Sequence, residues 1–396
     1  MKKLLIFTIL LALLSTGAFA EATWGGTIGA TADIIAGSSV EDSDMTTEAY
    51  PWRQRFTGDA ENEDGTFGGY MRFDVNNAGV NPIEYYGYAW WKPMDMLKLQ
   101  VGRNADGDFG ADGVTRWGYY GDAGDTHAAT ENWHFGSSFY GGFGDSGAVL
   151  TITPAETVTV SFGIPYHLYG NKAEESYKNM NAQLAVDLEG TGKIAITLAA
   201  SQPFFHIDGF DVGENMSYNK VYGYFGLTSI ENLAVDIGLG LGFPVKGDHM
   251  GLEGVKYSPG AAFGVGVTFD ADALQVKARV QMEMLEKVSH EDIDPAYKGP
   301  VILTADVMPS FAIDDTFRFF FSVGMRRTAE KKYDGNKLAD STMGWHLNPY
   351  ISKAVGPGTF FAGFWLGSEG EKYFNKDGDE KTVVTWRVPV GLVFNF

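Results

Sequence analysis

The stretch Trp386-Arg387-Val388-Pro389-Val390-Gly391-Leu392-Val393-Phe394-Asn395-Phe396 carries the chain to its end. Trp386, Val388, Val390, Leu392, Phe394 and Phe396 alternate with Arg387, Pro389, Gly391, Val393 and Asn395, so one face is wholly apolar. Side chains of an extended strand point to opposite faces in turn, and a period of two over eleven residues predicts a β-strand with one apolar side. Pro389 has no N–H to give, so strand regularity is expected to drop there. A soluble half-buried strand alternates too, but rarely ends on Phe with an apolar residue at every second place back to a Trp.

The opposite end explains where such a strand would be used. Lys2 and Lys3 precede the apolar run Leu4 to Leu14, and Ala18-Phe19-Ala20 supplies small residues before Glu21. This reads as a signal peptide over 1–20, with Ala18, Ala20 and Glu21 marking the cleavage site. Its apolar run is too short for a helical span, and no later stretch offers the roughly 20 consecutive apolar residues that one requires. Cysteine is absent, which excludes disulfides, thiolate metal sites, cysteine nucleophiles and a lipidated N-terminal cysteine. Loss of Lys2 and Lys3 takes the formal charge from −20 to −22, a poor balance for nucleic-acid binding. With 51 glycines and 14% aromatic residues the chain is not a disordered acidic tail either.

A bilayer can be crossed by strands only if they close into a ring, because an unpaired backbone group in hydrocarbon costs several kcal/mol. The sequence supplies candidate strands repeatedly. Leu233, Val235, Ile237, Leu239 and Leu241 alternate with Ala234, Asp236, Gly238, Gly240 and Gly242. Phe263, Val265, Val267 and Phe269 lead through Asp270-Ala271-Asp272 to Leu274, Val276, Ala278, Val280, Met282 and Met284, whose other face holds Gln275, Lys277, Arg279, Gln281 and Glu283.

Taken in order, the alternating runs give eighteen strands, near 22–36, 46–60, 66–76, 83–92, 96–103, 146–153, 157–164, 178–188, 193–201, 217–228, 232–242, 259–269, 273–285, 300–312, 316–327, 343–354, 358–367 and 381–396, with sixteen as the alternative count. Every second connection is then tight, and the others are mostly longer. The fold expected is all-β: one transmembrane antiparallel β-barrel over 21–396, with long extracellular loops and short periplasmic turns. Trp133, Phe135, Ser137 and Phe139, inside the longest connection, could form a further strand. Trp90, Trp345, Phe360 and Trp386 suit outward aromatic girdles, although ordinary packing accounts for any one of them.

The terminal strand resembles the closing strand of bacterial outer-membrane barrels, and by that resemblance Trp386, Val388, Val390, Leu392, Phe394 and Phe396 form the assembly signal read by the barrel-assembly machinery. The segments DGTFGGYMRFD (64–74) and AWWKPMDMLKLQVGR (89–103) resemble the opening hairpins of porin-like outer-membrane proteins of spirochaetes. The resemblance implies a porin-type channel for passive diffusion of ions and small polar solutes, seated in outer-membrane lipid, with a homo-oligomer compatible with that class. The rival readings are a surface adhesin or structural protein, a substrate-specific barrel transporter, including one for hydrophobic ligands, and a soluble periplasmic β-protein.

In porins a long loop folds into the lumen and faces basic residues on the wall. The corresponding pore-constriction candidates are Asp106, Asp108 and Asp112 on connection 104–145, against Arg53, Arg55, Arg72, Lys277, Arg279 and Arg318. Acids facing bases across a wet passage would set a transverse field and tune ion preference. The plainer reading of the same basic residues is a solvated wall.

Asp106, Asp108 and Asp112 also space acids around glycines as a calcium loop does, but the closing Glu of that pattern is missing, and a solvated loop fits equally. Gly142 to Gly147 matches a dinucleotide fingerprint by letter, but no helix follows it. Gly-Asp-Ser-Gly at 144–147 lacks the neighbours of a serine-protease nucleophile. The seven histidines show no metal-ligand spacing. No enzyme activity and no cofactor are expected.

Overall fold

The computed structural model describes residues 21–75, 83–103, 146–166, 180–202, 218–244, 256–257, 260–284, 287–289, 297–298, 301–329, 331–333, 336–339, 341–368 and 370–396. Residues 1–20 and 104–145, with the cleavage site's Ala18 and Ala20 and with Asp106, Asp108 and Asp112, lie outside them. So do Trp133, Phe135, Ser137 and Phe139.

Eighteen antiparallel strands form one closed ring. They are β1 (Glu21–Ser38), β2 (Thr46–Glu61), β3 (Phe67–Val75), β4 (Ile83–Met94), β5 (Leu97–Arg103), β6 (Ser146–Ala155), β7 (Val158–Pro165), β8 (Asn181–Asp187), β9 (Gly192–Gln202), β10 (Tyr218–Ile230), β11 (Leu233–Pro244), β12 (Gly260–Ala271), β13 (Leu274–Met284), β14 (Val301–Ala312), β15 (Phe317–Thr328), β16 (Thr342–Val355), β17 (Gly358–Gly363 continued by Trp365–Ser368) and β18 (Thr385–Asn395). Each strand pairs with its sequence neighbours, and β1 closes on β18 from Thr27 opposite Asn395 to Ser38 opposite Thr385.

The strands follow the alternating runs closely, with one correction. The last strand begins at Thr385 rather than near 381, because Glu380–Thr382 pairs with Lys372–Phe374 in a hairpin of its own.

Pro389 leaves its mark on both neighbours. Opposite it, β1 carries one extra residue between Asp33 and Ala36. On the other side, regular pairing of β17 with β18 stops at Ala362 and resumes at Trp365. The missing donor thus falls where the ladders on both sides already loosen, and this lowers its cost.

Register sets the two faces. Outward, the aromatic residues of the closing strand lie on glycines where any Cβ would collide: Trp386 over Gly37, Phe394 over Gly358 and Phe396 over Gly26. The Phe396 ring also meets Phe56 edge-on at 6.0 Å, and the Phe396 amide donates to the Gly26 carbonyl at 3.1 Å. Trp345 and Phe360 face outward as expected. Trp90 does not: it pairs with Gln100 and Gly68 on the lumen side, and its neighbour Trp91 is the outward residue. Two adjacent tryptophans satisfy either phase of the alternation, so the sequence pattern alone leaves that choice open.

On β16 the outward residues between Met343 and Lys353 are Trp345, Leu347, Pro349 and Ile351, none of them charged. Ten residues at about 3.4 Å each, tilted by about 40°, give a band about 26 Å tall, which matches the apolar belt of an outer-membrane barrel. Arg327, opposite Met343, and Lys353 bound it above and below.

The tight connections close with residues suited to left-handed backbone, such as Asn232 (φ 61°), Asp272 (φ 49°) and Gly356 (φ 59°). At the β14–β15 turn the Asp314 carboxylate accepts from the Thr316 amide (2.7 Å), the Thr316 hydroxyl (2.7 Å) and the Phe317 amide (2.9 Å). These hydrogen bonds, the Thr316 hydroxyl foremost, hold its carboxyl below the usual range.

Candidate functional site: the lumen wall

The inner face gathers the polar half of every alternating run, and cross-strand register decides which charges meet. On β2 and β3, Thr57 opposes Arg72 and Arg55 opposes Asp74. The Arg55 Nε donates to Asp74 at 2.8 Å, and the Arg72 guanidinium pairs with the same carboxylate. One acid therefore serves two bases. Next along the wall, Arg72 and Arg103 stack on Tyr86, at 4.6 and 4.9 Å from the ring centre, and Lys92 and Lys98 flank Trp90 at 4.8 and 5.6 Å. An ammonium or guanidinium over a ring face gains about 0.5–2 kcal/mol and keeps its charge. This arc is a basic, aromatic surface.

A second arc, on β13 to β16, is packed tightly. Arg279 Nε donates to Asp306 at 2.7 Å, and both side chains are 1% exposed. Asp306 and the His346 ring converge above Gly324, where an added Cβ would collide with the Asp306 Oδ1 and the His346 Cε1. His346 Nε2 and the Ser322 hydroxyl are 3.0 Å apart. The pair resembles a nucleophile and its base, but β15 is bonded to a neighbour along both edges, so the ladder uses the backbone donors that an oxyanion would need. Arg318 donates to Ser310 at 3.2 Å on the same arc.

Below this network an apolar sector crosses the inner wall, formed by Met308, Phe320, Tyr350, Phe361 and Val393. Phe320 and Tyr350 are stacked at 4.5 Å, and the Tyr350 hydroxyl points at the Met308 sulfur, 3.7 Å away. Elsewhere on the wall Gln183 donates to Thr197 (2.9 Å) and Tyr224 to Asp236 (2.7 Å). At the closing seam Arg387 lies 3.9 Å from Asp33 and over the Trp365 ring at 5.0 Å.

Among the constriction candidates, the structure brings Arg55 and Arg72 together on Asp74. Lys277 and Arg279 sit on β13 and Arg318 on β15, on a different arc. Arg53 stands opposite Gly29 in the β1–β2 register. The acids that meet these bases among the described residues belong to the wall itself. Asp74 and Asp33 were missed as partners, although Asp74 lies two residues from Arg72 and so shares its face. Among the described residues no three His, Asp or Glu side chains gather as a metal site.

No protein-family model and no curated protein matches the sequence. The fold is similar to that of DcaP from Acinetobacter baumannii, an outer membrane channel, with TM-score 0.56 and 11% identity over 96% of this chain and 99% of that one. It is also similar to OccK5 (OpdH) of Pseudomonas aeruginosa, with TM-score 0.52 and 9% identity over 94% and 98% of the two chains. For OccK11 (OpdR) of the same organism the TM-score is 0.51 and the identity 10%, over 94% and 96%. None of the three is a spirochaete protein. Together with the closed ring and its apolar belt, these likenesses make the chain an integral outer-membrane β-barrel.

Proposed function

We propose that the barrel is a porin-type channel through which ions and small polar solutes diffuse passively across the outer membrane. One observation carries this reading: a closed ring of eighteen strands whose inner face holds charged and polar residues on arc after arc. Bore grows with strand number, and barrels of about 16–18 strands leave an aqueous passage. Charge on a wetted wall is tolerated, whereas a lumen for hydrophobic ligands would be apolar. The likeness to an outer membrane channel in DcaP supports the same reading. In this proposal β18 engages the barrel-assembly machinery through Trp386 to Phe396, and residues 1–20 are removed on export.

The test is single-channel recording of the folded mature protein in a planar bilayer under a salt gradient. Stable conductance steps are the expected result. The reversal potential reads whether the basic wall on β2 to β5 or the acidic connections dominate ion preference. A folded, inserted barrel that never conducts would sink the proposal and favour a surface-binding role.

A further inference from the structure

The outward face of β12 to β16 is not smooth. A groove of about 680 Å³ is sunk into it, within the apolar belt. Two neighbouring rungs of paired residues shape it. On one, Val280, Ala305, Met325 and Trp345 stand side by side, and on the next Ala278 faces Val307. Trp345 points outward, paired residues share a face, and positions two apart on a strand share it too, so both rungs turn away from the lumen. Ala278 and Ala305 are the short side chains among larger ones, and the floor of the groove therefore runs diagonally from β13 to β14. One further diagonal step, onto β15, reaches Arg327, which faces Leu303, two residues from Ala305. Diagonal neighbours lie about 7–8 Å apart, so the line from Ala278 through Ala305 to Arg327 spans about 15 Å.

Arg327 is exposed, and the residues that face it on either side, Leu303 and Met343, are apolar. Among the described residues no acid pairs with it. It stands at the end of β15 away from the short β14–β15 turn, at the extracellular edge of the belt. A cation at that edge, directly above an apolar groove, matches a molecule with two parts: a negative headgroup and a flexible apolar chain. In hydrocarbon no water is released when apolar surfaces meet, so the gain from filling the groove is packing contact that a bare hollow forgoes. A neighbouring barrel is itself convex and would meet this wall along its crests, whereas an acyl chain can follow a floor of alanines.

We propose that this groove is a binding site for one acidic lipid of the outer leaflet, with an acyl chain along Ala278 and Ala305 and the headgroup phosphate on Arg327. A basic side chain at a membrane surface attracts anionic headgroups, and here the groove below it fixes where the lipid sits. The site lies on the outside of the wall and holds whether or not the lumen conducts.

The test is native mass spectrometry of the folded barrel in detergent, titrated with phosphatidylglycerol or with zwitterionic phosphatidylcholine. Wild type is expected to retain one phosphatidylglycerol and to hold it more tightly than phosphatidylcholine. Ala305→Phe, which fills the floor, should weaken phosphatidylglycerol binding at least tenfold with heat-modifiable mobility intact. Arg327→Gln should weaken it roughly fivefold and leave phosphatidylcholine unchanged. Lys353→Gln, at the other edge of the belt, should bind as wild type does. If Ala305→Phe misfolds, Ala278→Phe makes the same test. No retained lipid, equal binding by the filled variant, an equal loss in Lys353→Gln, or no preference for the acidic headgroup would overturn the site. So would a wild-type oligomer that Ala305→Phe splits without loss of lipid, which would assign the groove to a second copy of this chain.

Discussion

Two acid–arginine clusters on different arcs of the same wall use the same chemistry in different surroundings. Asp74 is shared by Arg55 and Arg72, whose side chains are 24% and 22% exposed, while Arg279 and Asp306 are each 1% exposed. Water reaches the first pair of guanidinium groups and screens them, so that cluster presents charge to whatever passes. The second is shut away from water, so its charges act on one another and tie β13 to β14. The lesson is that a charged residue on a lumen face is not by that fact a pore residue; its access to water decides.

The comparison breaks most readily at Asp306. Asp306→Asn should leave Arg279 buried against a neutral partner and cost about 3–5 kcal/mol, read as a lower urea midpoint of the folded band. Replacing both residues, as Arg279→Met with Asp306→Leu, should recover most of that loss. An Asp306→Asn barrel as stable as wild type would show that water reaches the pair after all.

Gly324→Ala sharpens the same point through packing alone. Its Cβ would displace both Asp306 and His346. Overpacking of this kind costs about 1–3 kcal/mol, and urea titration of the variant would measure it. Asp74→Asn should behave differently, with a stability loss of about 1 kcal/mol and a reversal potential shifted toward anions, since two wetted arginines lose their shared counter-charge. A large stability loss with no change in selectivity would assign this cluster the role of the other one.

The smallest effect belongs to Asp314, outside both arcs. Its carboxyl sits below the usual range, so the stabilisation it contributes is present above ordinary carboxylate pKa values and is lost as pH falls through its own. Asp314→Ala should lower the thermal midpoint slightly at neutral pH, and the difference should disappear in acid. A difference that persists in acid would mean the turn depends on shape rather than charge.

Much of this architecture is legible in the sequence, and what is hidden has a common cause. Alternation within a strand reports the face of each residue, so β11, β12, β13 and β18 and the polarity of their two sides follow from period alone. The effect of Pro389 is also foreseeable, because a missing donor weakens any ladder. What a single strand cannot report is its register against the next. That Asp74 meets Arg55, and that Asp306 and His346 share the space over Gly324, both depend on the stagger between strands. Trp90 was misplaced for a simpler reason, since Trp91 beside it satisfies the opposite phase equally well.

The charge-free band between Met343 and Lys353 has a consequence for where the protein can reside. At about 26 Å it fits a membrane thinner than average, as the bacterial outer membrane is. A bilayer some 4 Å thicker would have to thin locally or take up Arg327 and Lys353, each at a cost of fractions of a kcal/mol per ångström around the perimeter. Hydrophobic mismatch thus adds a thermodynamic sorting term to any address carried by the two ends of the chain, and that term is written in the spacing of two rim charges.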